Sequence, residues 1–135
     1  MRLRLSMAAV LAIGCMGSTW ASANAVDELL QQYRKQGAGE FSAAAGEQLW
    51  QHTFTDAKTG EARRCNTCHT NDLKRTGKHA VTGKAIEPLA PSVNPQRLTD
   101  KAHIEKWLSR NCKWTIGREC TPQEKGDALV MIRSR

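Results

Sequence analysis

The sequence predicts an all-α domain, and three observations carry that expectation. Apolar residues recur at helical spacing in two segments of its first half. Strong N-cap signals open two further segments in its last third. The chain has 135 residues, 40% hydrophobic and only seven aromatic, enough for one small domain with one small core. The formal charge of +7 points to a cationic surface able to meet an acidic partner.

Residues 1–25 read as a cleaved export signal. Arg2 and Arg4 precede an apolar stretch from Leu5 to Met16 that is too short to span a bilayer. Ala23-Asn24-Ala25 fits a small-x-small cleavage site, which places the mature domain at residues 26–135; Ala21-Ser22-Ala23 is a second cut, and Gly14-Cys15 allows a lipoprotein reading in which Ala12 stands where Leu is usual. Cleavage removes two arginines and no acid, lowering the formal charge from +7 to +5.

The mature chain opens on an amphipathic helix from Val26 to about Lys35, with Val26, Leu29, Leu30 and Tyr33 on one side. Gly37-Ala38-Gly39 ends it. Ser42 then caps a second helix, about Ala43 to His52, whose inward residues are Ala45, Gly46, Leu49 and Trp50. A glycine on that face allows another helix to approach closely. Thr55 to Arg64 is a polar, exposed loop.

Cys65-Asn66-Thr67-Cys68-His69 follows, and this spacing carries specific chemistry. Two thiols three residues apart add to the two vinyl groups of a porphyrin, and the adjacent imidazole binds the iron as proximal ligand. A zinc site would need two more ligands at short spacing, and a thioredoxin-like pair would need a preceding buried strand; Gly60 to Arg64 is not one. The expected cofactor is therefore one covalently attached haem c, held by Cys65, Cys68 and His69. A haem also supplies the large flat apolar body that an aromatic-poor chain lacks.

Thr70 to Arg97 lacks regular pattern and holds three of the four prolines. Its Lys74, Arg75, Lys78 and Lys84 are expected near the haem edge, where they form a weak docking site for an acidic redox partner. Thr99 or Asp100 caps a third helix running to about Arg110. With Ile104 at zero on a helical wheel, Leu108 falls at about 40°, Trp107 at about 300° and Asn111 at about 340°. Asn111 is thus expected inside the apolar stripe, its amide satisfied either by a backbone group at the helix end or by iron. Trp107 and Trp114 are the candidate walls of the haem pocket.

Export removes Cys15, so Cys112 and Cys120 remain as a pair in an oxidising compartment. A disulfide closing this short loop would stabilise the fold by roughly 2–3 kcal/mol; two free core thiols are the alternative. Thr121, Pro122 and Glu124 then announce the last helix through a capping box. Its Leu129, Val130 and Ile132 are expected against the Gly46 helix.

These residues resemble the SHP family of class I-like monohaem cytochromes c. The resemblance rests on the haem motif, on Thr82-Gly83-Lys84 with Pro88-Leu89-Ala90-Pro91-Ser92, on Ile104 through Cys112, and on Gly117-Arg118-Glu119-Cys120-Thr121-Pro122 with Glu124-Lys125-Gly126-Asp127. It covers roughly Gly46 to the C-terminus. It implies a class I cytochrome c-like fold and a ferric iron bound by His69 and the Asn111 side chain. It further implies release of Asn111 on reduction, binding of dioxygen, carbon monoxide or nitric oxide, a Cys112–Cys120 disulfide, and electrons received from a dihaem cytochrome c.

A simple electron carrier closed to gases is the competing function. It needs a strong second ligand, and the mature chain offers only Met131, inside the last helix and expected as core filler, with His52, His79 and His103. His52 and His79 read as surface residues; His103 lies about 80° from Asn111 around the third helix. A third possibility is an oxygen-, peroxide- or nitric oxide-consuming enzyme, for which no catalytic acid–base pair is visible. No nucleic-acid role and no stable membrane insertion are expected, and the export signal points to the periplasm.

Overall fold

A computed structural model describes residues 20–135; the first 19 residues of the expected export signal, with Gly14-Cys15, lie outside the described residues. Five helices carry the fold: α1 (Trp20–Lys35), α2 (Ala43–Gln51), α3 (Asn66–His69), α4 (Lys101–Ile116) and α5 (Pro122–Arg133). Two antiparallel ladders complete it, β1 (Phe54–Thr55) with β2 (Ala62–Arg63) and β3 (Gly77–Lys78) with β4 (Ala85–Ile86). The all-α expectation holds. The ladders are hairpin stems in segments read as irregular, and two-residue strands are too short to display an alternating pattern.

The stripe predicted on α1 is the core. Val26, Leu29, Leu30 and Tyr33 are buried with Ile104 of α4 and Leu129 of α5. Gly37, at φ +98°, turns the chain out of α1 in the left-handed conformation. Ser42 Oγ accepts from the Ala45 amide at 3.3 Å and starts α2.

α2 crosses α5 at Gly46, where a Cβ would stand 2.2 Å from the Asp127 carbonyl oxygen and 2.8 Å from Met131 Cβ. The buried Asp127 carboxylate pins the crossing, accepting from the Ser42 amide at 2.7 Å and Gln123 Nε2 at 3.0 Å. Gly46→Ala should therefore destabilise the protein by about 3 kcal/mol, the upper end of overpacking costs, because the opposing atoms are backbone. Chemical denaturation of the holoprotein checks this.

One packing expectation is corrected. Ile132 does join Trp50 of α2, but its companion there is Met131, while Leu129 and Val130 pack in the α1 and α4 cluster. α5 lies between two packing partners, and each takes an adjacent pair of its residues. Met131 is core filler, 2% exposed.

A second correction concerns α4, which runs past Arg110 to Ile116 and ends on Gly117 at φ +84°. Asp100 is its cap, Oδ1 accepting from the His103 amide at 2.6 Å, whereas Thr99 bonds back to the Gln96 carbonyl. The capping box of α5 forms as read: Thr121 Oγ1 accepts from the Glu124 amide at 3.1 Å and the Thr121 amide donates to Glu124 Oε2 at 2.8 Å.

Candidate haem site

α3 is a single helical turn, with Cys65 at its N-cap and Cys68 and His69 within it. Both thiols are outside any disulfide and partly buried. Trp50 packs beside His69, with ring centroids 5.5 Å apart, and its Nε1–H donates to the Thr70 carbonyl at 2.9 Å. Thr70 sits at φ +65°, so the chain reverses immediately after His69 in a conformation that costs a non-glycine residue on the order of 1–3 kcal/mol. Leu73, Ala90, Met131 and Ile132 pack around Trp50, with Cys65 at the edge of that cluster. The imidazole is thus held by its flanking backbone and by the core behind it.

Burial, followed by the charges of Arg97 and His79, lowers the His69 pKa to about 4. The ring stays neutral at physiological pH, the state in which imidazole binds metal. Burial pushes the Cys65 thiol up to about 11.

α4 has two distinct faces. Ile104, Cys112 and Thr115 are buried. Trp107, 42% exposed, and Asn111, also exposed, stand on the open side, and Trp114 is half-buried. The expectation of a buried Asn111 amide is therefore corrected: about 20° from buried Ile104, it lies at the edge of the apolar stripe, on the side of exposed Trp107. The helix-end alternative also falls, because α4 continues beyond it and the Gly117 amide makes the terminal bond to the Lys113 carbonyl at 3.2 Å. Next to Asn111, Cys112 is bonded to Cys120 across a Cα separation of 5.5 Å. The link fixes α4 to the start of α5. Replacing both cysteines by serine should cost about 2.5 kcal/mol in the chain-entropy picture, read by urea denaturation without reductant.

Two arginines join the parts of the site. Arg63, two residues before Cys65, stacks 4.8 Å above the Trp114 ring and donates to its carbonyl at 2.9 Å. Asp56 holds it at 2.7 Å, and the Asp56 carboxyl lies below its usual pKa, chiefly through the Thr59 amide and also through Arg63. The strand leading into the haem motif is thereby clamped to the end of α4. Arg97 donates to the Pro88 and Glu87 carbonyls at 2.9 and 2.8 Å. With Asn94, Leu98, His103 and Ile104 it lines an open cavity of about 400 Å³ beside the start of α4. Sequence reasoning missed both; an arginine in an irregular segment carries no local sign of its distant partner.

The other three imidazoles are exposed, and one of them is hydrogen-bonded. His52 is exposed against Phe54, and exposed His103 packs 5.9 Å from Trp107. His79 Nδ1 accepts from the Val81 and Thr82 amides at 3.2 Å each.

The donor set fits a covalent haem. Two unpaired thiols share one turn with a neutral imidazole, and Trp107 and Val93 are large apolar side chains left 42% and 50% exposed. A zinc reading fails, because Cys112 and Cys120 are bonded to each other.

A family model described as Domain of unknown function (DUF1924) matches residues 36–132. The cytochrome c-type protein SHP of Cereibacter sphaeroides is 40% identical over 131 residues, covering 97% of each chain. The match extends well upstream of Gly46, where the motifs begin. The solved structure of oxidized SHP, an oxygen binding cytochrome c, superposes with a TM-score of 0.72, at 40% identity over 82% of this chain and 96% of that one. The solution structure of cytochrome c'' from Methylophilus methylotrophus, described as giving insight into haem-ligand detachment, superposes with a TM-score of 0.71, at 28% identity over 84% of this chain and 93% of that one. The chain therefore belongs to the SHP family of c-type cytochromes and carries one covalently attached haem c.

Proposed function

We propose that this chain is an exported monohaem cytochrome c that accepts an electron from a redox partner, releases Asn111 from the iron, and then binds dioxygen, carbon monoxide or nitric oxide. Cys65 and Cys68 form the thioethers, and His69 is the proximal ligand. Trp107 and Trp114 flank the distal side. When bound, the haem iron supplies the one-electron redox couple and the position at which a diatomic gas binds.

The observation that carries this reading is the state of Asn111. Its amide stands on the open face of α4 with no hydrogen-bond partner among the described residues and no capping duty, beside a cysteine anchored in the core. An amide oxygen is a hard, neutral and weak donor, better suited to ferric than to ferrous iron. Reduction favours its release, and the freed amide can donate a hydrogen bond to a diatomic ligand. The disulfide limits how far the α4 backbone beside it can swing. Similarity to an oxygen binding cytochrome c, and to one discussed for haem-ligand detachment, supports the same reading.

Export to the periplasm is supported by the leader-like residues 1–25 and the disulfide. A dihaem cytochrome c is the proposed donor, from the family resemblance. No helix among the described residues is long and apolar enough to cross a membrane.

Mixing the reduced holoprotein with carbon monoxide tests the proposal. A rapid Soret shift is expected; an unchanged spectrum would identify a closed electron carrier instead. Steady-state consumption of oxygen, peroxide or nitric oxide with a competent donor separates binding from turnover.

A further inference from the structure

Eight lysines and arginines among the described residues lie within 4 Å of a carboxylate. Lys74, Arg75, Lys78 and Lys84 do not, although all four are exposed, and no acid occurs between Leu73 and Ile86. The last two belong to the β3–β4 hairpin. At its tip stands Val81, 76% exposed, the most open of the large apolar side chains described. A lone exposed valine is ordinary; one at the centre of an uncompensated basic segment has the composition of an interface with an apolar centre and a polar rim.

The hairpin lies against the haem-attachment turn. At Gly77 a Cβ would stand 2.2 Å from the Cys68 carbonyl oxygen, so β3 packs directly on α3. The Ala80 amide points at Cys68 Sγ from 3.4 Å. One hydrogen bond and one peptide unit thus separate the thioether sulfur from the exposed tip. The turn is also held in shape. Besides the two amides on His79 Nδ1, the His79 amide donates to the Lys84 carbonyl at 2.8 Å and the Gly83 amide to the His79 carbonyl at 2.9 Å. A surface ordered before contact loses little conformational entropy on binding.

We infer that this hairpin is the docking surface for a reduced, acidic one-electron donor protein, with Val81 at the centre of contact and the electron entering through Ala80 and Cys68. The inference rests on the electron-accepting reading above and names its surface. In the step the partner loses one electron and the ferric iron gains it; no covalent bond forms or breaks. The basic rim steers the encounter, and salt screens it.

The test uses the oxidised holoprotein and two donors of different character, a reduced acidic ferredoxin and the neutral lumiflavin semiquinone generated by a laser flash. Lys78→Glu/Lys84→Glu and Val81→Asp should each slow reduction by the ferredoxin about tenfold at low ionic strength. Lumiflavin rates should stay within about twofold. Lys35→Glu/Lys58→Glu, with the same change in net charge, should leave the ferredoxin rate within about twofold. Independently of turnover, oxidised ferredoxin should shift the backbone amide resonances of residues 74–84. Hairpin variants reduced at the wild-type rate, equal losses in the control variant, or amide shifts centred elsewhere would overturn the docking assignment while leaving electron acceptance intact. A wild-type holoprotein reduced by neither donor would overturn the electron-accepting reading and this surface with it.

Discussion

Cys65→Ser/Cys68→Ser should yield a protein from which acid–acetone extracts all haem and whose intact mass equals that of the polypeptide alone. The hydroxyl of serine does not form the thioether, and no other thiol is in position, because Cys112 and Cys120 are bonded to each other. Stability should fall as well. The buried apolar residues form two small clusters, one around Tyr33 and Leu29 and one around Trp50, with Trp107 and Val93 left substantially exposed. A domain of this size buries proportionally little surface on folding, so a large apolar group tethered within it contributes a large share of the core. Near-UV circular dichroism should show weakened tertiary structure in the variant. Covalent haem retained in the double variant would show that the attachment site lies elsewhere.

Asn111→Ala is expected to change the spectrum and leave the fold alone. The side chain is exposed in the middle of α4 and makes no hydrogen bond within the described chain. Alanine is the better helix former, by up to about 0.7 kcal/mol, so unfolding of the reduced holoprotein, in which the amide is released, should be unchanged or slightly displaced toward higher denaturant. Haem should remain covalently attached. The ferric Soret and charge-transfer bands should move to those of a water-bound or five-coordinate iron, and the reduced variant should still bind carbon monoxide. A changed ferric spectrum with the fold of the reduced protein intact is the signature of a ligand, since a structural residue would cost stability in both oxidation states. An unaltered ferric spectrum would assign the sixth position to another side chain, with His103, on the same helix, the first to examine.

Local physics was legible in the sequence and distant pairing was not. The Thr121–Glu124 box, the Ser42 cap, the α1 stripe and the close approach at Gly46 depend on neighbours within a turn or on one missing side chain. The haem motif is legible for the same reason, since its three groups span one turn. The sequence pattern carries α4 only to about Arg110. The true stop is Gly117, whose left-handed conformation is the stronger signal. Asn111 falls between Ile104 and Trp107, at the edge between the buried and open sides of α4, and a wheel alone does not say to which side an edge residue belongs. The Arg63 clamp on Trp114 and the Arg97 bonds to Pro88 and Glu87 join segments whose partners no periodicity announces. The β3–β4 hairpin was legible as a run of basic residues but not as a hairpin, because its strands are two residues long.

Exchange of the distal ligand with oxidation state is tested most directly by resonance Raman spectroscopy of the holoprotein, oxidised and then reduced, without added gas. A six-coordinate ferric haem should give way to a five-coordinate ferrous haem with an iron–histidine stretching band, and Asn111→Ala should alter the ferric spectrum only. A ferrous haem that stays six-coordinate, or a ferric spectrum indifferent to Asn111→Ala, would contradict the assignment of Asn111 as a ligand released on reduction.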